Sequence, residues 1–356
     1  MLIHILLIKD FYKHIGTFAF ISPLIKYRNS LKDKGFKIKI FYNPTEDFFE
    51  CDVLLVENRF LNSLDFQKKS FLKKINSLSK KTKKIFVDTT DSTGQIKKQN
   101  LIIFDNYWKG QRLKNLNLYK KPHYGGRFFT DFNNRYFKIK DSKELKSEKI
   151  EKTELLKKIQ VSWNMGLTNF DLYSPIFHKL YSFLKINSFI KDPRIINSNI
   201  SKSRDISCRL SIDYYRETVK LQRLKIESLL KNITNTNRLN RRQYFKELNV
   251  SKLSISPFGW GEICIRDFET FICHSCLIKP DMSLVETWPN YYIKNKSYVS
   301  FNWNMEDFND CINNILNQNK KIKEISDYGR EIYTKFNMKK ESKNFFVERF
   351  AEILKK

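Results

Sequence analysis

Short apolar runs alternate with amphipathic segments along the first half of the chain. The amphipathic segments have helical spacing, as at 66–80, where Phe71, Leu72 and Ile75 fall on one face. The apolar runs have the length of strands and lie at 2–9, 36–43, 51–58, 83–88, 100–106 and 158–164. Strands that alternate with helices in this way predict a parallel sheet with helices on both faces.

A polar segment at 191–205 interrupts this pattern, and we interpret it as the connection between two domains. The alternation then resumes, with an amphipathic helix at 214–232 and strands at 206–212, 252–256, 276–281 and 297–302. The 356 residues exceed what a single core usually organises. We therefore predict an α/β fold of two Rossmann-like domains, 1–195 and 196–356, that face a cleft, with the last helix free to pack back on the first domain.

A glycine-containing turn in the second half has the features of an anion-binding site. The stretch SPFGWGEICIRDFE, 256–269, joins a strand to a helix that we expect to begin near Glu262. Glycines let backbone N–H groups approach a phosphate, and a helix N-terminus adds partial positive charge. Glu262, Arg266 and Glu269 would share one helix face. The alternative is an ordinary surface ion pair between Glu262 and Arg266, contributing about 0.3–0.5 kcal/mol.

The net charge of +28 raises the question of nucleic-acid binding. The lysines are spread along the whole chain, however, whereas nucleic-acid readers concentrate arginine and aromatic residues on one face. We therefore expect no nucleic-acid partner, and we keep nucleic-acid binding as an alternative. Attraction to an anionic membrane surface is a second consequence of the charge.

Membrane spans and metal sites are not predicted. No apolar run approaches the ~20 residues of a membrane helix, so we expect a cytoplasmic protein, with membrane association left open. Of the six cysteines only Cys273 and Cys276 lie close together, which is half of a zinc site. We expect reduced, buried thiols and no metal or other cofactor.

Four segments together resemble the GT-B glycosyltransferases that occur with bacterial polysaccharide genes. They are SPFGWGEICIRDFE, LIKPDM, ETWPNYY and, at 124–132, YGGRFFTDF. In that group a glycine-containing loop precedes a helix with two glutamates seven or eight residues apart, and Glu262 and Glu269 are seven apart. The resemblance is strongest over 205–315 and thinner before 120. His274 occupies a position that is usually small in this group.

The resemblance implies a GT-B enzyme whose second domain binds a nucleotide-diphosphate sugar. Its first domain would present a glycan or lipid-linked acceptor for surface polysaccharide synthesis. By the same resemblance, Glu269 would meet the nucleotide ribose, and Glu262 would meet the donor sugar or help to set the loop. Gly259, Trp260 and Gly261 would lie near the diphosphate or the sugar, and Arg266 matches an arginine common in the group. An epimerase of the same fold is an alternative that would bind the same donor without an acceptor.

The chemistry needs cations for the leaving group and a base for the acceptor hydroxyl. Enzymes of this architecture usually stabilise the diphosphate with helix dipoles and basic side chains instead of a metal. Arg209 and Lys252 are our candidate cations, with plain surface charge as the alternative. His14, in the loop after the first strand, is our candidate base, and its competitors are Asp10, Asp91, His123 and Asp131.

Overall fold

The computed structural model describes residues 1–197, 200–338 and 340–356. Its strands are β1 (Leu2–Leu6), β2 (Lys37–Phe41), β3 (Val53–Glu57), β4 (Lys83–Asp88), β5 (Asn106–Lys109), β6 (Gln111–Leu113), β7 (Ile159–Val161), β8 (Arg204–Ser207), β9 (Ser251–Ile255), β10 (Cys276–Pro280), β11 (Val285–Thr287) and β12 (Val299–Phe301).

The helices come between these strands, with three in succession at the end of the chain. They are α1 (Ile15–Lys26), α2 (Arg28–Asp33), α3 (Asn58–Ser63), α4 (Lys68–Ser77), α5 (Lys98–Ile103), α6 (Phe128–Phe137), α7 (Thr153–Lys157), α8 (Ser174–Leu184), α9 (Glu217–Leu230), α10 (Arg241–Val250), α11 (Ile265–Ile272), α12 (Phe308–Leu316), α13 (Asn319–Asn337) and α14 (Ser342–Lys355).

The first sheet is parallel throughout, in the order β2-β1-β3-β4-β5-β7. Its central strands are buried on both faces: Leu55 packs into the core on one side, and Leu54 and Val56 into the core on the other. Burial on both sides explains why these strands are continuous apolar runs in the sequence. The order reverses between β1 and β3, where open α/β sheets form their binding crevice.

The second sheet is also parallel, in the order β12-β10-β9-β8, with helices on both faces. The carboxyl ends of its strands face those of the first sheet across a cleft. The predicted fold class is confirmed: the chain forms two Rossmann-like units facing a cleft, which is the GT-B architecture. The domain boundary at 195 stays a prediction, and residues 198 and 199 of the predicted connection lie outside the described residues.

The strand predicted at 100–106 is wrong, because only Asn106 of that range lies in a strand. Residues 98–103 form helix α5, and β5 begins only at Asn106. Within the apolar run, Leu101 is buried whereas Ile102 is 59% exposed. A short helix can bury Leu101 against the sheet and expose Ile102. A short apolar run is compatible with a strand as well as with such a helix, so the sequence does not distinguish them.

The two units exchange segments. Strand β6, from the first half of the sequence, pairs antiparallel with β11 from the second half. Helix α6 contributes Phe129 to the core of the second unit, where it packs beside Phe258. In the opposite direction, α14 returns to the first unit and places Phe346 and Phe350 against Trp163.

Within the described part of the chain, no helix is both long enough and apolar enough to span a bilayer.

A buried ion pair fixes the exchanged segment around α6. Asp141 accepts hydrogen bonds from Arg216 Nε at 2.9 Å and Arg216 Nη2 at 2.7 Å, and both side chains are almost completely buried. Arg216 Nη1 also donates to the carbonyl of Gly125 at 2.7 Å. The guanidinium therefore joins the start of α9 to the segments on either side of α6.

We predict that Arg216→Ala lowers the free energy of unfolding by about 3–5 kcal/mol, because it leaves the Asp141 carboxylate buried without its cation. Urea unfolding followed by circular dichroism measures this change. Lys252→Ala is the control, because it breaks an exposed pair with Asp205 and should cost less than about 1 kcal/mol. Equal effects of the two substitutions would contradict the prediction.

Candidate active site

A cavity of about 480 Å³ lies at the carboxyl ends of the second sheet. Its walls are the glycine turn, helix α11, the loop after β8 and the start of α10. Ile15 and Asp91 close it from the side of the first unit. The cavity therefore opens into the cleft between the two sheets, at the edge where α/β proteins bind ligands.

Helix α11 begins at Ile265, three residues later than the sequence predicts. The cap residue Cys264 is extended, and its N–H donates to the carboxylate of Asp267 at 3.0 Å. This cap sets the first turn, so Glu262 lies in the preceding loop and does not share a helix face with Arg266 and Glu269. The expectation of three residues on one face is thus wrong for Glu262.

Asp267 also fixes the position of α11 on the sheet. It is fully buried and accepts hydrogen bonds from Ser256 Oγ at 2.5 Å and Tyr292 Oη at 2.7 Å. Lys279, equally buried on β10, pairs with it at 3.0 Å. A buried pair of charges with such complete hydrogen bonding holds one geometry, so the helix presents Arg266 and Glu269 to the cavity in a defined position.

Five of the sixteen arginines in the chain line this one cavity, namely Arg209, Arg223, Arg238, Arg241 and Arg266. Arg223 donates to the carbonyls of Phe258 at 2.8 Å and Ser211 at 3.2 Å. Arg266 donates to the carbonyls of Ile255 and Arg209. Carbonyl groups orient these side chains without neutralising them, so the cavity keeps a concentration of positive charge.

Glu269 is the acidic side chain that α11 places in the cavity. It is 5% exposed, and its Oε1 accepts a hydrogen bond from Arg241 Nη1 at 3.0 Å. Burial raises the pKa of Glu269, and the charge of Arg241 opposes this effect. Arg241 also donates to the carbonyls of Phe170 and Asp171, at 2.8 and 2.7 Å, which ties the cavity wall to the segment before α8.

The glycine turn serves close packing as well as the cavity. A Cβ at Gly261 would lie 2.3 Å from the carbonyl oxygen of Asp91, so only glycine lets the loops of the two units touch here. The N–H of Gly259 donates to the carbonyl of Gly261 at 3.0 Å and is thereby used within the turn. Trp260 lies against Tyr215, and the guanidinium of Arg127 stands 5.2 Å from its ring centroid.

Glu262 is buried between the units and does not line the cavity. Its Oε2 accepts hydrogen bonds from the N–H of Thr93 at 3.1 Å, Thr93 Oγ1 at 2.7 Å and Gln111 Nε2 at 3.1 Å. Its Oε1 is buried without a hydrogen-bond partner. Burial raises the pKa of Glu262. Of its two expected roles, this position favours setting the loop over contact with the donor sugar.

The structure separates the remaining candidates. Arg209 lines the cavity, although a bidentate pair with Glu247 occupies its guanidinium. The prediction that Lys252 is a cation of the donor site is wrong. Lys252 lies near the amino end of β9, remote from the cavity, and pairs with Asp205 at 2.7 Å. A strand of five residues that begins at 251 places its second residue at the end opposite the cleft.

His14 is the residue before α1 and is half-buried. The next residue, Ile15, lines the cavity, whereas His14 itself does not. Burial and the charge of Arg59 lower the pKa of His14, which favours the neutral imidazole. Its role as the base stays a prediction.

A second cavity, of about 50 Å³, adjoins the first on the side of the first sheet. Asp91 and Met165 line both cavities. Asp91 is exposed to the cleft, and desolvation of its carboxyl group by the surrounding loops raises its pKa, which the charge of Arg127 opposes. A Cβ at Gly16 would lie 2.3 Å from the carbonyl oxygen of Thr89, so glycine is required where the first turn of α1 meets the loop after β4.

Sequence reasoning missed three of the cavity arginines, Arg223, Arg238 and Arg241. Arg223 falls within the buried stripe of α9, four residues after Val219 and three before Ile226. A charged residue at such a core position requires a buried partner or a ligand, and this pattern is visible in the sequence. Arg241 carries no comparable pattern, because it is one of two successive arginines at the start of α10.

The described residues contain no group of three His, Cys, Asp or Glu side chains that could hold a metal ion.

No family model and no curated protein matches this chain. Solved structures match over its whole length at low identity. Anabaena Alr3699/HepE in complex with UDP-glucose is 10% identical, with a TM-score of 0.46, and the match covers 100% of this chain and 99% of that one. Sucrose-phosphate synthase from Thermosynechococcus elongatus is 9% identical, with a TM-score of 0.45, over 100% and 98%. A glycosyltransferase from Rickettsia africae is 9% identical, with a TM-score of 0.43, over 99% and 97%.

We predict that Glu262→Gln flattens the dependence of stability on pH. Because burial raises the native pKa of Glu262, the native state binds more protons than the unfolded state above the ordinary value of 4.5. This carboxyl group therefore makes stability fall as the pH rises from 4.5 to its native pKa. The amide keeps the shape and does not titrate. Thermal unfolding of both proteins from pH 4.5 to 8 measures the difference, and parallel curves would contradict the prediction.

Proposed function

We propose that this protein is a cytoplasmic glycosyltransferase that moves a sugar from a nucleotide-diphosphate sugar to a glycan or lipid-linked acceptor in surface polysaccharide synthesis. The observation that supports this best is the cavity at the carboxyl ends of the second sheet, which is lined by five arginines and by one buried glutamate. The resemblance of the glycine turn and its two glutamates to GT-B enzymes points to the same activity.

The cavity offers separate groups for the two ends of a nucleotide. Arg223 and Arg266, whose guanidinium groups rest on carbonyls, are suited to the diphosphate. Glu269, held in place by Arg241, can accept hydrogen bonds from the vicinal hydroxyls of a ribose. Phosphate and ribose would thus be bound by residues one turn apart on α11 and by Arg223 of α9, which lines the same cavity.

The transfer breaks the bond between the anomeric carbon and the diphosphate oxygen, and it forms a bond from that carbon to the acceptor oxygen. The nucleoside diphosphate leaves with the bonding electrons, and the arginines stabilise its charge. The acceptor hydroxyl loses its proton to a base. The acceptor would enter from the smaller cavity, where Asp91 faces both spaces. Asp91 therefore competes with His14 for the role of the base.

We predict that one sugar nucleotide, from a panel of UDP, GDP, ADP and CMP sugars, raises the melting temperature of the protein. A ligand at ~100 times its dissociation constant stabilises the fold by ~2.7 kcal/mol. Glu269→Gln should abolish most of this shift, because the amide cannot replace both the pairing with Arg241 and the ribose contact.

Lys252→Ala is the matched control for donor binding, since Lys252 lies at the other end of the sheet and should leave the shift intact. If no nucleotide changes the melting temperature while DNA or RNA binds with a steep salt dependence, the positive cavity serves nucleic acid and the proposal is wrong.

We predict that Asp91→Asn slows release of the nucleoside diphosphate in the presence of acceptor by about 10²–10⁴-fold if Asp91 is the base, with donor affinity retained. His14→Gln should then have a small effect, because His14 does not line the cavities. Initial rates of nucleoside diphosphate release, measured for both variants with a coupled assay, test this prediction. The reverse order of effects would assign the base to His14.

A further inference from the structure

Helix α8 has an apolar face that no described part of the chain covers. Its inner face packs on the first unit through Tyr181, which is 6% exposed. On its outer face, Ile176 is 58% exposed, Phe183 85% and Leu184 45%. Ile176 and Phe183 are seven residues apart, so they lie two turns apart on the same side of the helix. Solvent-facing positions of a surface helix are normally polar, so a stripe of this kind indicates an interaction surface.

Basic side chains border this apolar face. Residues 173–194 contain Lys179, Lys185, Lys191 and Arg194 against a single acid, Asp192, which gives a net charge of +3. The guanidinium of Arg194 lies 4.7 Å from the ring centroid of Tyr173. Lys185 lies 4.8 Å from the ring centroid of Tyr12, whose hydroxyl donates to the carboxylate of Asp10 at 3.3 Å. Apolar residues flanked by cations match the chemistry of an anionic lipid surface.

The helix lies beside the cleft. Its first turn follows Phe170 and Asp171, whose carbonyls accept hydrogen bonds from Arg241 on the cavity wall. Further along, the ring of His178 packs 4.4 Å from that of Phe18 on α1, the helix whose first residue, Ile15, lines the same cavity. A surface that bound α8 would therefore lie next to the entrance of the cleft.

We propose that the outer face of α8, with Ile176, Phe183, Leu184 and the neighbouring Ile186, inserts into the interfacial region of an anionic bilayer. The +28 charge of the chain favours lipid over a second copy, because two such faces would repel each other. If the proposed function holds, this docking brings the cleft to a lipid-linked acceptor, and this part of the inference rests on that function.

The experiment is co-sedimentation of the full chain with phosphatidylcholine vesicles, with and without phosphatidylglycerol. We expect binding to the vesicles that contain phosphatidylglycerol, weakened by salt. The double variant Ile176→Asp/Phe183→Asp should lower the partition coefficient by roughly tenfold or more, since it replaces two inserted apolar side chains with anions. Lys179→Glu should weaken binding less, and circular dichroism should show an unchanged fold for each variant.

Ile102→Asp is the matched control. Ile102 is 59% exposed, as Ile176 is, but it lies on α5 at the amino end of the first sheet, away from the cleft. Its substitution should leave vesicle binding intact. Equal loss with Ile102→Asp, or no binding by the unaltered protein, would overturn the proposal.

Analytical ultracentrifugation without lipid tests the alternative that a second copy of the chain covers the face of α8. If the unaltered protein is a dimer that the double variant converts to a monomer, the face of α8 joins two copies and the lipid proposal is wrong. Donor titration is carried out without vesicles. If the unaltered protein binds no sugar nucleotide, the proposed function is wrong. The vesicle experiment still decides whether α8 binds lipid.

Discussion

The buried contact of Glu262 with Thr93 and Gln111 determines how the two sheets face each other. Three donors from the first unit converge on one carboxylate oxygen of the second. Beside it, Gly261 touches the carbonyl of Asp91, an approach that a side chain would prevent. Because the same loop runs from this contact into α11, the position of the cavity relative to the first unit depends on it.

The cavity obtains its charge from side chains oriented by backbone carbonyls. Arg223 and Arg266 donate hydrogen bonds to backbone carbonyls at the cleft. These bonds give the carbonyls a partner, and they leave the positive charge of both guanidinium groups available to an anion. Carboxylate pairing, as between Arg209 and Glu247, would instead neutralise them. The same edge of the sheet therefore provides both the space and the electrostatic potential for an anion.

The sequence predicts what local pattern determines and misses what distant contacts determine. The central strands are recognisable because burial on both faces leaves only apolar residues in them. The glycine turn is recognisable because a strand and a helix flank it. The role of Glu262 cannot be recognised in the sequence, because its partner Thr93 lies 169 residues away in the chain. The start of α11 is missed for a local reason, because cysteine is an unusual cap and Asp267 completes it.

The return of α14 to the first unit affects how the chain can be made. Trp108 and Trp163 acquire their cover from Phe346 and Phe350 only after α14, which follows the whole second unit, has left the ribosome. Until then the part of the first sheet around these tryptophans lacks that cover, although Phe20 of α1 stacks on Trp163 in the same core. The N-terminal unit therefore completes its core only after the second unit and α14 have been synthesised, and until then the uncovered surface is open to aggregation.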